Sequence, residues 1–214
     1  MAIVKNGIAK GFSGTIDGLI YSQQPDGTTT VKTSPRTSSK LPTKLQLSSR
    51  QDIKICSEFF RPIEDFIKFG FQLEKKLKGW NAHNAAASYL RKNAITGEYP
   101  ERRIDYKSVL VTKGKMPLAQ GVQVVVTELG FTFTWDAKPE LKGLYYSDQV
   151  MLMAYFPDLQ DAVYLTAGAQ RVRQTELLML GSIPKGSLAE VYLSFISDNH
   201  KRISNSVHLG QLTW

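Results

Sequence analysis

Apolar and polar residues recur along this chain in three successive patterns, and each pattern predicts its own elements. In residues 1–33 short apolar pairs are interrupted by Gly7, Gly11, Gly14 and Gly18. That spacing is too dense for a helix, where each glycine costs about 1 kcal/mol relative to alanine. Asp17-Gly18 and Asp26-Gly27 are hairpin-turn dipeptides, since glycine accepts the positive φ such turns need. Leu19-Ile20-Tyr21 and Thr28-Thr29-Thr30-Val31 carry β propensity, so two or three short strands are expected. From Thr43 the period lengthens. Thr43-x-x-Gln46 has the capping-box pattern, and Ile53, Cys56, Phe60, Ile63 and Ile67 then recur at helical spacing, with Phe59 and Phe66 beside them. Pro62 either kinks this helix or opens a second one, and Gly70 ends the run. A further helix over Asn81–Asn93 places Ala82, Ala86, Tyr89 and Leu90 on one face.

After Ile104 the period shortens to that of strands. Ser108–Thr112, Gln123–Thr127, Phe131–Trp135, Gln149–Phe156, Ala162–Thr166, Glu176–Leu180, Glu190–Ser197 and Ser206–Trp214 are each short, β-branched or aromatic, and bounded by turn residues. Seven or eight strands separated by turns roughly every ten residues are the signature of an immunoglobulin-like sandwich. Trp135 is its expected core anchor. The fold class is therefore α+β: N-terminal β-hairpins and a basic arm, two helices, and a C-terminal immunoglobulin- or fibronectin-like antiparallel β-sandwich. Phe59, Phe60, Phe66, Phe69 and Phe71 need a cover, which the hairpins, the sandwich or another copy of the chain can supply.

Charge divides the chain in the same place. Residues 1–103 hold 17 Lys/Arg against 9 Asp/Glu, and residues 104–214 hold 10 against 10, so the net charge of +8 belongs to the first half. Two domains are read from this: a basic N-terminal region, 1–103, and a β-sandwich domain, 104–214. A hydrophobic fraction of 42% excludes wholesale disorder. The longest apolar run, Val150–Phe156, is too short to span a bilayer, and Met1–Gly7 does not resemble a signal peptide. The single cysteine excludes an internal disulfide framework. These features point to a cytoplasmic protein without a membrane partner, and leave open a particle derived from a phage or mobile element.

Candidate chemistry is sparse. His83, His200 and His208 lack ligand spacing, and Cys56 falls on an apolar helical stripe with no histidine base beside it in sequence. Lys10-Gly11-Phe12-Ser13-Gly14 matches neither phosphate-loop pattern. No catalytic, metal or cofactor site is expected, and no small-molecule substrate is implied. Basic clusters remain. Lys32, Arg36, Lys40, Lys44 and Arg50 lie on or beside a Ser/Thr/Pro arm at 33–44, and Lys75, Lys76 and Lys78 precede Trp80. Such cations can meet phosphates, with Trp80 stacking on a base, or can meet another subunit. Tyr145 and Tyr146 form a candidate interaction loop.

Lys5-Asn6-Gly7-Ile8, Gly11-Phe12-Ser13-Gly14, Thr43-x-x-Gln46-x-x-x-Arg50, Lys92-Asn93-Ala94-Ile95-Thr96-Gly97-x-Tyr99-Pro100, Ala162-Val163-Tyr164-x-Thr166-Ala167-Gly168-Ala169 and Ser204-Asn205-Ser206-Val207-x-Leu209-Gly210 stand in that order along the chain. Together with Ile104-Asp105-Tyr106 and Val109-Leu110-Val111 they resemble a Bacteroidota family of about 200-residue proteins classified as a domain of unknown function. The chain departs from that pattern at Thr33-Ser34, where similar proteins carry Arg-Ser. The resemblance implies no activity. The expected function is that of a non-enzymatic structural or assembly protein, a homo-oligomer associating through its N-terminal region. A non-specific nucleic-acid-binding protein is the alternative, and an adhesion or glycan-binding sandwich module a weaker one.

Overall fold

A computed structural model describes residues 2–5, 7, 9–24, 26–35, 40–74, 81–136 and 147–214. The chain divides into two compact units, Met1–Thr43 and Lys44–Trp214. The boundary that charge suggests at residue 103 falls inside the second unit, because the helices share a core with the strands that follow them.

The first unit is an antiparallel sheet of β1 (Ala2–Val4), β2 (Gly14–Ile16), β3 (Leu19–Gln23) and β4 (Thr29–Thr33), in the order β1-β4-β3-β2. Asp17 and Gly18 form the two-residue loop between β2 and β3, both with positive φ (45° and 74°). That backbone is the type I′ turn expected of Asp-Gly, whose twist matches the strands it joins. The β3–β4 turn is tied by Asp26, whose carboxylate accepts from the Thr28 amide at 3.0 Å and hydroxyl at 2.6 Å.

The second unit begins with α1 (Lys44–Phe60), a 3-10 turn at Arg61–Ile63 and α2 (Glu64–Gly70). Pro62 thus breaks the long helix: it sits in the first turn of the 3-10 segment, where a missing N–H costs nothing. A second 3-10 turn follows at Gln72–Glu74. Helix α3 (Ala82–Asn93) is capped by Asn81, which accepts from the Asn84 amide at 2.8 Å. A short hairpin of β5 (Ile95–Thr96) and β6 (Arg103–Ile104) leads to a 3-10 turn at Tyr106–Ser108.

Seven strands complete the unit: β7 (Gln120–Val126), β8 (Gly130–Asp136), β9 (Gln149–Phe156), β10 (Asp161–Leu165), β11 (Thr175–Met179), β12 (Leu188–Ile196) and β13 (Val207–Thr213). They form a three-stranded sheet, β11-β8-β7, and a four-stranded sheet, β10-β9-β12-β13, all antiparallel. The expected strand over Ser108–Thr112 is not one. Val109 and Val111 are buried there, but no strand ladder forms: the Val111 amide donates to Ser206 Oγ at 2.9 Å, the Thr112 carbonyl accepts from the Ser206 amide at 3.1 Å, and the Thr112 hydroxyl donates to the Ser204 carbonyl at 2.9 Å. A β-branched run can fill a core without entering a ladder.

The central strands β9 and β12 of the four-stranded sheet are buried on both faces. Val150, Leu152, Ala154 and Phe156 of β9 face the three-stranded sheet with Trp135, whose indole donates to the Arg171 carbonyl at 2.8 Å. Met151, Met153 and Tyr155 face the helices. Phe59 meets Tyr155 edge-on at 4.8 Å and Phe66 meets Tyr164 at 5.6 Å, so the sandwich covers these two, while Phe69 stays exposed.

Candidate functional site

In the N-terminal sheet, side chains alternate between faces. Register puts Val4, Ile16, Leu19, Tyr21 and Val31 on one face and Ile3, Ile20 and Lys32 on the other. Among the described residues of this unit only Thr29 and Thr30 are buried, while Ile3 (56% exposed), Phe12 and Ile16 (55%) lie open to solvent. Lys5, Lys10 and Lys32 are exposed as well. The expected basic contacts are divided between the two units. Lys32 and Lys40 belong to the first unit, Lys44 and Arg50 to α1 of the second, and Lys44 is already bonded to Glu98 at 3.3 Å. Arg36, Lys75, Lys76, Lys78, Trp80, Tyr145 and Tyr146 lie outside the described residues.

The second unit contains a groove of about 970 Å³ that motif reading does not find. One wall is Ser206 and the β13 residues Val207 through Gln211; the other is the β5–β6 hairpin and the Asp105–Leu110 segment. Its floor carries a polar network. His208 Nε2 lies 2.6 Å from Glu190 Oε2, and Gln211 Nε2 donates to Glu190 Oε1 at 3.0 Å. Beside them the Tyr192 hydroxyl donates to the Tyr106 carbonyl at 2.8 Å, and burial pushes the Tyr192 phenol far above its ordinary value. Glu190 is 5% exposed, so its charge needs these partners.

A bulge assembles this network. Residues i and i+3 of a regular strand point to opposite faces. Here the register shifts between Val191 and Tyr192, which pair with Gly210 and His208, so one extra β13 residue is inserted. His208 and Gln211 thereby reach the same face, opposite Tyr192 and Glu190. Gly210 takes a φ of 111° in this stretch, which a residue with a side chain rarely adopts.

Other reactive groups are held in packing. Cys56 is buried, and burial pushes its thiol up to about 11, with Arg91 opposing and Asp52 reinforcing the shift. The thiol is therefore protonated and a poor nucleophile at neutral pH. His83 packs edge-on against Phe60 at 5.2 Å, and His200 occupies a turn with a φ of 55°. Asp52 accepts a bidentate pair from Arg102, which also donates to the Gly97 carbonyl at 3.0 Å. Arg171, buried beside Asp148, stacks 3.8 Å from the Phe195 ring centroid. Burial lowers its guanidinium to about 10, against the opposing pull of Asp148. No group of three metal-ligating side chains occurs among the described residues, and none of their helices is long and apolar enough to cross a membrane.

Residues 11–210 match the family model described as "Family of unknown function (DUF6266)", and the chain belongs to that family. No curated protein and no solved structure matches it.

Proposed function

We propose that this member of a family of unknown function is a non-enzymatic assembly protein, self-associating through its N-terminal sheet and using the sandwich unit as a rigid body. The observation that carries the reading is the poverty of that sheet's interior. Its described residues bury only two threonines, while isoleucines on both faces stay exposed. A sheet whose described residues bury no apolar side chain is marginal alone and gains by covering its faces with another copy. Most of the helices' aromatic face is already occupied. A Bacteroidota source, suggested by the motif resemblance, and a role without membrane attachment belong to the same reading.

Light-scattering mass on a sizing column tests it. The full chain is expected to run as a discrete oligomer and Ile3→Lys/Ile16→Lys as a monomer with an unchanged circular-dichroism spectrum. Equal monomeric mass for both chains overturns the proposal. The exposed Lys5, Lys10 and Lys32 support nucleic-acid binding as a second reading. It requires co-eluting material absorbing at 260 nm that is shed as salt rises.

A further inference from the structure

The groove beside β13 has the geometry of a strand-accepting edge. β13 is an outer strand of its sheet, and Ser206 through Gln211 line this groove in succession, with Glu190 of the neighbouring strand β12 beside them. Such an edge offers backbone N–H and C=O groups at strand spacing, which a second extended chain satisfies and a nucleic acid does not.

Charge sets the class of that chain. Two carboxylates line the groove, and both are engaged within it: Glu190 by His208 and Gln211, and Asp105 by the Lys107 amide at 3.3 Å and the Ser108 hydroxyl at 2.7 Å. Arg103 and Lys107 line the same groove, are exposed, and make no ion pair among the described residues. Ile104, Leu110 and Leu209, all half-buried, supply apolar surface between the two walls. We infer that this groove binds an extended acidic peptide segment by strand addition to β13, its carboxylates meeting Arg103 and Lys107 and its apolar residues lying on Ile104, Leu110 and Leu209. A second copy of the N-terminal sheet fits poorly, because the exposed Lys5, Lys10 and Lys32 would face the same cations. The inference does not depend on the assembly reading, whose surface belongs to the other unit.

A displayed library of random octapeptides selected on the full chain tests it. Recovered sequences should carry Asp or Glu at alternating positions, with apolar residues between them. A fluorescein-labelled selected peptide should bind about tenfold more weakly to Arg103→Glu/Lys107→Glu, whose exposed substitutions leave the fold intact. Methylating alternate backbone amides of the peptide should abolish binding on one phase of the alternation and spare it on the other, as pairing to one edge requires. Unbiased or basic sequences, binding insensitive to the charge reversal, or equal effects of both methylation phases each overturn the proposal. Competition by an oligothymidylate but not by the unlabelled peptide would assign the groove to nucleic acid instead and likewise overturn it.

Discussion

Replacing Phe59 by alanine separates two accounts of how the chain is divided. Phe59 is 1% exposed on α1, 4.8 Å from the Tyr155 ring on β9 and 5.5 Å from Phe60. Truncating a buried phenylalanine costs about 3–5 kcal/mol, from lost transfer energy and the cavity left behind. For a unit of this size, 1 kcal/mol moves the melting temperature by roughly 2–4 °C, so Phe59→Ala should lower it by roughly 6–20 °C. The informative question is which probe feels the loss. Trp135 and Trp214 lie in the core between the two sheets, on the far side of β9 from Phe59. In a Trp80→Phe background all tryptophan fluorescence comes from those two residues. If residues 44–214 unfold as one unit, fluorescence and far-ultraviolet ellipticity fall together, at the same lowered temperature. A helical transition that drops while the fluorescence transition stays in place would refute the shared core and restore a boundary near residue 103.

Two further predictions rest on single positions. A Cβ on Gly114 would sit on the Ile203 carbonyl oxygen, whereas one on Gly181 meets nothing within 4 Å. Gly114→Ala should therefore cost more than about 1 kcal/mol in a urea titration and Gly181→Ala stay within about 0.5 kcal/mol; equal effects would contradict the packing around residues 203–206. Cys56, with its thiol raised to about 11, and Tyr106, Tyr155 and Tyr192, raised by burial, hold protons in the folded state that the unfolded chain releases earlier. Between the unfolded and folded values the native state binds more protons, so stability is full below about pH 9 and falls as pH rises beyond it. The urea midpoint should be lower at pH 10 than at pH 7.5, and Cys56 should resist alkylation at pH 8 until urea unfolds the chain. An unchanged midpoint, or equally fast alkylation of the folded chain, would count against this.

Much of the fold is legible because its periods are unmixed. The Asp17-Gly18 turn, the break at Pro62, the helix after Asn81 and all seven sandwich strands follow from local chemistry. Val150–Phe156 is apolar throughout because β9 is covered by helices on one face and by the other sheet on its opposite face. A run too short for a membrane was thus already the mark of a central strand. Two features escaped. Composition placed a boundary at residue 103 because charge records what faces solvent, while the division between units follows shared burial, and Phe59 and Tyr155 share theirs across that position. Ser108–Thr112 has strand-forming residues, but its Val111 amide and Thr112 carbonyl are satisfied by Ser206, about 95 residues away in sequence.

The groove is harder to read, for a reason local to β13. Sequence alternation places His208 and Gln211 on opposite faces of a regular strand, so the two look unrelated. The bulge reverses that parity for the residues after it, and glycine at 210 is the one local sign of where the reversal falls. Glu190 was the other sign: a carboxylate inside Leu188–Ile196, whose remaining positions are mostly apolar, must be paired if the strand is buried. Breaking a buried pair costs more than its net contribution to stability, and an apolar substitute of similar volume is often no less stable. The Glu190–His208 pair is therefore poorly accounted for by stability alone. Its place in the floor of a groove that follows an open strand edge connects a costly polar core position with a surface able to take a ligand.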